Sequence, residues 1–256
     1  MSTHRGYSIS LPVVAGLKVY TRTFACRSSG NGQTIVMIHG LGVSGDYLVP
    51  AAELLAGRHK VLVLDLPGFG RSDNPEKSFG ISEFADFLVE WMGVVGIERP
   101  TLLGNSLGCQ VIVDLAMRYP ESIDKLILVA PTVDRVGRTL ARQLGRGFRQ
   151  LWREPWSLWP ILFRDYLTTG TIRMLRTFQM AVADKIEHKL PRVMSPTLVA
   201  GGTRDVIAPP RWCREVAEML PCGQLEIIRD GTHALHFSKT TELVAAVDAF
   251  LANSAG

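Results

Sequence analysis

Ser106 stands in the run Gly104-Asn-Ser-Leu-Gly108, between a short apolar segment and a segment of helical period. Glycines on both sides let a strand and a helix meet closely, and the sharp turn between them pushes the serine hydroxyl out of the backbone. The start of the following helix favours negative charge, so a serine placed there suits nucleophilic attack. Such an alcohol needs a neighbouring base. His233, in Asp230-Gly-Thr-His233-Ala-Leu-His236-Phe, is the expected general base, with His236 as its local rival. A carboxylate must then fix the ring's tautomer. Asp205 ends the run Gly201-Gly-Thr-Arg-Asp205 and is the expected acid, whereas Asp230 reads as a turn residue.

Acyl transfer also needs two donors aimed at the developing oxyanion. The backbone N–H groups of Leu41, in His39-Gly-Leu-Gly42, and of Leu107 are the expected pair, and His39 itself reads as a brace for its loop. Cys109 reads as buried filler. The four cysteines, Cys26, Cys109, Cys213 and Cys222, show no C-x-x-C and no histidines at zinc-ligand spacing. They are expected to be free thiols in a reducing, cytoplasmic compartment. The chemistry calls for no metal and no organic cofactor.

These residues need a scaffold that brings strand ends together. Short apolar runs at 34–38, 61–64, 101–103, 126–129, 197–200 and 225–228 each end near Gly, Pro or Asp, as strands buried on both faces do. Helical patterns lie at 81–95, with Ser82 as expected N-cap, and at 107–118, 209–220 and 240–251. One or two edge strands precede Phe24. Alternating strands and helices predict an α/β fold with a mostly parallel sheet and helices on both faces.

Residues 132–190 break this alternation and predict a helical cap, with 1–131 and 191–256 forming the core. Val136, Leu140, Leu144, Phe148 and Leu151 recur at spacings of three and four, as do Arg135, Arg138, Arg142, Arg146, Arg149 and Arg153 on the opposite side. This predicts a helix packed through its apolar side with a solvated basic side. That basic side could touch an anionic membrane surface. Trp152, Trp156, Trp159 and Phe163, with Ala234 beside the histidine, are expected to wall an apolar substrate pocket.

Of 256 residues, 46% are hydrophobic and 20% charged, an ordinary globular composition. The net charge of +4 is too small to imply nucleic-acid binding. No stretch is apolar enough to predict a membrane span, and residues 1–10 hold no apolar run of signal-peptide length.

The runs His39-Gly-Leu-Gly42, Asp65-Leu-Pro-Gly-Phe-Gly-Arg-Ser-Asp73, Gly104-Asn-Ser-Leu-Gly108, Gly202-Thr-Arg-Asp205 and Gly231-Thr-His233 resemble the α/β-hydrolase superfamily across roughly residues 32–251. The order Ser106, Asp205, His233 is the one that fold uses. The resemblance implies an eight-stranded, mostly parallel sheet with a cap after the sixth strand. Within the superfamily the chain resembles capped carboxylesterases and the carbon–carbon bond hydrolases that cleave meta-cleavage products. The latter usually carry tryptophan where Ala234 stands, and a cap arginine for which Arg164, Arg173 and Arg176 are candidates. Epoxide hydrolases and haloalkane dehalogenases use an aspartate where Ser106 stands. The expected activity is hydrolysis of a small or medium hydrophobic ester or related carbonyl compound. The alternatives are carbon–carbon bond hydrolysis of a vinylogous diketone acid and ligand binding without catalysis.

Overall fold

A computed structural model describes residues 3–4, 6–28 and 32–253, so Met1, Ser2 and Arg5 of the first ten residues lie outside the description. The eight main strands are β1 (Tyr7–Ser10), β2 (Thr21–Phe24), β3 (Thr34–Ile38), β4 (Lys60–Leu64), β5 (Thr101–Asn105), β6 (Leu126–Val129), β7 (Thr197–Gly202) and β8 (Gly223–Ile228). They form one sheet in the order β1-β2-β4-β3-β5-β6-β7-β8, and the two-residue strand Thr3–His4 extends the β1 edge. β1 and β2 run antiparallel, and every pairing from β4 to β8 is parallel. This is the α/β-hydrolase fold, with the long insertion after the sixth strand.

β3 to β7 are buried almost throughout because helices cover both faces, so their sequences run apolar instead of alternating with polar residues. Successive side chains still point to opposite sides. Val36, Ile38, Leu62, Leu64 and Leu102 face α2 (Ile81–Val95), α3 (Leu107–Arg118) and α7 (Pro210–Met219). Ile35, Met37, Val61, Val63 and Leu103 face α1 (Val49–Leu55) and α8 (Thr240–Asn253). Helix α2 occupies the expected residues, but its N-cap is Gly80 and not Ser82: Glu83 accepts the Gly80 N–H at 2.6 Å, and Ser82 lies inside the first turn.

Between β6 and β7 the chain forms α4 (Leu140–Leu151), α5 (Trp159–Thr169) and α6 (Thr171–Ala183), and no strand occurs there. Helix α4 is turned differently from the expected orientation. Its buried residues are Gln143 and Gln150, while Leu140, Leu144 and Phe148 are exposed. Polar demand sets this orientation. Gln143 donates to Gly137 O at 2.9 Å, Gln150 accepts the Val206 N–H at 3.0 Å, and Arg146 pairs with the fully buried Asp134 at 2.7 Å. Arg138 forms a bidentate pair with Glu187, at 2.6 and 2.5 Å. Part of the basic row is therefore tied inward, and it is the apolar row that meets solvent.

The Asp65–Asp73 run folds around one buried ion pair. The Asp65 carboxylate takes the fully buried Arg22 guanidinium at 2.8 Å, the Gly45 N–H at 2.7 Å and the Arg71 N–H at 2.9 Å. Gly70, at φ 57°, passes so close that a Cβ there would stand 2.3 Å from Asp65 Oδ2. Burial disfavours the charged guanidinium, but Asp65 and Asp46 outweigh it and raise the Arg22 pKa above its ordinary value. Asp65→Ala should cost about 3 kcal/mol or more, because it strands part of a buried charge. Asp46→Ala, at a partly solvated site, should cost less. Urea denaturation of the two variants checks the ranking.

Candidate active site

Ser106 links β5 to α3 with φ 54° and ψ −115°, a conformation that L side chains rarely adopt. The turn survives because its surroundings leave no room for anything else. A Cβ on Gly104 would stand 2.6 Å from the Gly108 carbonyl, and one on Gly108 would stand 2.5 Å from Ile38 O. Strand, turn and helix therefore touch backbone to backbone. The Ser106 N–H donates to Val129 O at 3.1 Å, which anchors the turn to β6.

The loop after β3 lies against this turn. A Cβ on Gly40 would approach Ser106 Cβ to 3.2 Å. Tyr47 holds the approach: its hydroxyl accepts the Gly40 N–H and donates to Asn105 Oδ1, each at 2.7 Å. The Asn105 amide in turn donates to Val129 O at 3.1 Å and His233 O at 3.3 Å. His39 is the brace expected of it. Its Nε2 accepts the Leu66 N–H at 2.9 Å, so Nδ1 carries the proton it shares with Gly40 O at 2.7 Å. Leu41 and Leu107 line the cavity beside Ser106, and the Leu107 N–H is the first of the helix, which has no partner one turn earlier.

His233 and Asp205 meet from different strand ends. The Asp205 carboxylate accepts His233 Nδ1–H at 2.7 Å, and its other oxygen accepts the N–H groups of Ile207 at 2.7 Å and Ala208 at 3.0 Å. That leaves Nε2 as the free ring nitrogen. Burial opposes the imidazolium, but Asp205 outweighs it and raises the His233 pKa. Among the described residues no hydrogen bond joins Ser106 to His233, although both open onto one cavity.

His236 has the opposite fate. It is fully buried edge-on against the Tyr47 ring, with centroids 4.3 Å apart, and neither ring nitrogen has a hydrogen-bond partner among the described residues. Burial, then His233, pushes its pKa down to about 3. Asp230 sits at φ 56° in an exposed turn, and Cys109 is buried with its thiol pushed well up by burial.

The cavity has a volume of about 710 Å³ and a largely apolar lining, including Leu144, Phe148, Leu158, Met174 and Phe178 of the insertion, and Ala234. Trp152, Trp156, Trp159 and Phe163 are not among the lining residues. The expected aromatic pocket wall is thus corrected. With α4 docked through its glutamines, Trp152 continues the outward row, and Trp156 stacks on Trp159 at 5.1 Å. Arg164, Arg173 and Arg176 also stand outside the lining, and Arg164 is paired with Asp165 and Asp46.

Two contributors carry no motif. Tyr47 is one. The other is Glu154, a buried insertion carboxylate that accepts Gln150 Nε2 at 2.6 Å, Thr232 Oγ1 at 2.7 Å and the Ala234 N–H at 3.3 Å. It grips both residues flanking His233. Only its rarity as a buried acid marks it, and burial is invisible in a single sequence.

A family model described as "Alpha/beta hydrolase family" matches residues 35–247. The chain belongs to the alpha/beta hydrolase family. It is 25% identical over 269 residues to an uncharacterized protein of Mycobacterium tuberculosis, spanning 91% of this chain and 78% of that one. It is 27% identical over 249 residues to a putative carbamate hydrolase of Caulobacter sp., spanning 87% of this chain and 92% of that one. The crystal structure of a membrane phospholipase A, described as a bacterial virulence factor, superposes with a TM-score of 0.84 at 24% identity, covering 97% of this chain and 86% of that one.

In this alpha/beta hydrolase the Tyr47 hydroxyl is the tie between the Gly40 loop and the Ser106 turn. Tyr47→Phe leaves a buried N–H and a buried amide oxygen without that partner, and should cost about 1–3 kcal/mol. Chemical denaturation reads this directly, and an unchanged midpoint would mean that the bridge carries nothing.

Proposed function

We propose that the protein is a serine hydrolase that cleaves carboxylic esters bearing a hydrophobic acyl group, through an acyl-enzyme on Ser106. The observation that carries this reading is a strained serine at a helix start, facing the same apolar cavity as a histidine whose Nδ1 is held by Asp205. His233 Nε2 takes the Ser106 proton as the hydroxyl attacks the carbonyl. The N–H groups of Leu41 and Leu107 hold the oxyanion. The alcohol leaves with the proton from His233, and water repeats the sequence on the acyl-enzyme. The helices of 132–190 act as a cap that shapes the acyl site. A purely apolar group suits the lining better than an ionised dienoic acid, because none of the candidate cap arginines reaches the cavity. This favours an ester over the carbon–carbon hydrolase substrate.

A fluorophosphonate probe should label the wild type and not Ser106→Ala, and a series of p-nitrophenyl esters should peak at one acyl length. Wild-type protein that stays unlabelled while remaining folded would leave ligand binding without catalysis as the surviving reading.

The acid limb of kcat/KM reports the base. The free ring must be neutral to accept a proton, and Asp205 raises the His233 pKa above 6.5. Activity should therefore fall as pH drops through a value above 6.5. Asp205→Asn removes the raising influence and leaves burial, so the limb should move to lower pH while turnover drops on the order of 10³–10⁴-fold. A limb that stays in place would assign the titration to another group.

A further inference from the structure

The insertion carries an apolar surface that its own packing does not use. Leu140, Leu144 and Phe148 of α4 and its C-cap Trp152 lie four residues apart and are all exposed, Phe148 at 65% and Trp152 at 62%. The rings then continue the row in space. Phe148 meets Trp152 at 6.3 Å, Trp152 meets Trp159 at 5.6 Å, and Trp159 stacks on Trp156, itself 74% exposed. From Trp159, Phe163 and Leu167 extend the row along α5 at the same four-residue spacing, at 70% and 68% exposure. A contiguous aromatic and aliphatic face of this kind marks an interaction site. It also adjoins the cavity mouth, because Leu144 and Phe148 line both.

Charge identifies the occupant. Residues 132–190 contain nine arginines and five acids. Asp134, Glu154 and Asp165 are buried, and Asp184 and Glu187 are half-buried and paired with Lys189 and Arg138. Among the described residues of 132–190, the exposed charged side chains are all basic. Arg149 and Arg176 have no carboxylate partner among the described residues, and Arg142 and Arg153 donate to the backbone carbonyls of Val136 and Arg204. Arginines beside Trp, Phe and Leu match the interface of an anionic lipid bilayer, where rings sit at headgroup depth and guanidinium groups meet phosphates. Among the described residues no helix is long and apolar enough to cross a membrane, so contact would be made in the plane of the surface.

We propose that the α4–α5 face docks on the surface of an anionic bilayer, with the cavity mouth beside the bound lipid. The docking does not require that Ser106 be catalytic, and the test separates the two. Ser106→Ala protein is mixed with vesicles of phosphatidylcholine alone or with phosphatidylglycerol, and sedimented. Binding should be strong to the phosphatidylglycerol vesicles, weak to the neutral ones, and should weaken as salt rises. Trp156→Ser with Phe163→Ser, both exposed, should reduce binding about tenfold or more with an unchanged melting curve. Arg142→Glu with Arg149→Glu, both exposed on α4, should do the same by charge. The proposal is overturned if the protein ignores anionic vesicles. It is also overturned if sedimentation equilibrium shows a lipid-free dimer that the Trp156 and Phe163 changes dissolve, since a second copy would then be what covers this face. Vesicle binding by a protein whose wild type fails the labelling assay would sink the hydrolase reading and leave the docking intact.

Discussion

Everything in the site depends on the backbone of Ser106 staying at φ 54°. Such a residue is held by its surroundings or not at all. Here β5 and α3 close on each other through Gly104 and Gly108, and α3 rests on the carbonyl end of β3. The parallel order β3-β5-β6 makes this possible, because three strand ends point the same way and their loops crowd together. Asn105, the residue before the serine, uses that crowding. Its one amide reaches the end of β6, the Tyr47 hydroxyl on the β3 loop, and the carbonyl of His233. A side chain that bridges three loops fixes the relative positions of Ser106, the Gly40 loop and His233.

Electrostatics then distinguishes two histidines three residues apart. His236 is fully buried and His233 largely so, and burial alone drives each toward neutrality. His236 packs on the Tyr47 ring with no carboxylate among the causes of its shift, and stays neutral far into acid. His233 meets Asp205, and the balance reverses. The carboxylate also selects the tautomer, which places the basic lone pair on Nε2. Glu154 adds a second negative charge nearby and fixes the backbone on either side of the ring. Through Glu154, the insertion is coupled to the segment that carries His233 as well as to the cavity wall.

The parts legible in the sequence are those where local pattern and tertiary role coincide. Continuous apolar runs must be doubly covered strands, and 126–129 in the sequence is β6 in the structure. Gly104 and Gly108 advertise a close approach that only glycine allows. Helix α1, seven residues holding Pro and two Ala, is too short to show a period, and its existence comes from packing on Ile35 and Met37. Tyr47 reads as any aromatic until the Gly40 N–H is found unpaired without it. The orientation of α4 was hidden for a different reason. Periodicity reveals that a helix has two faces, but which one turns inward depends on what lies beneath. Beneath α4 lie backbone groups of Gly137 and Val206 that need polar partners, so Gln143 and Gln150 are buried and the leucines are not.

That choice adds a second kind of force where the insertion meets the core. The sheet and its covering helices are joined by apolar burial, which is non-directional and tolerates exchange of one hydrophobe for another. The insertion shares that burial through Leu158, Leu162, Ile186 and Leu190 and adds directed contacts: Asp165 to the Ser44 N–H and hydroxyl at 2.7 Å each, Asp134 to Arg146 and Arg211, Arg138 to Glu187, and Glu154 to Thr232 and Ala234. Buried charges of this kind add little net stability, because desolvation offsets most of their attraction, but a shifted register strands them at high cost. They therefore specify position more than they supply energy. An insertion fixed in that way can leave its aromatic face outside, since its attachment to the core never called on that face.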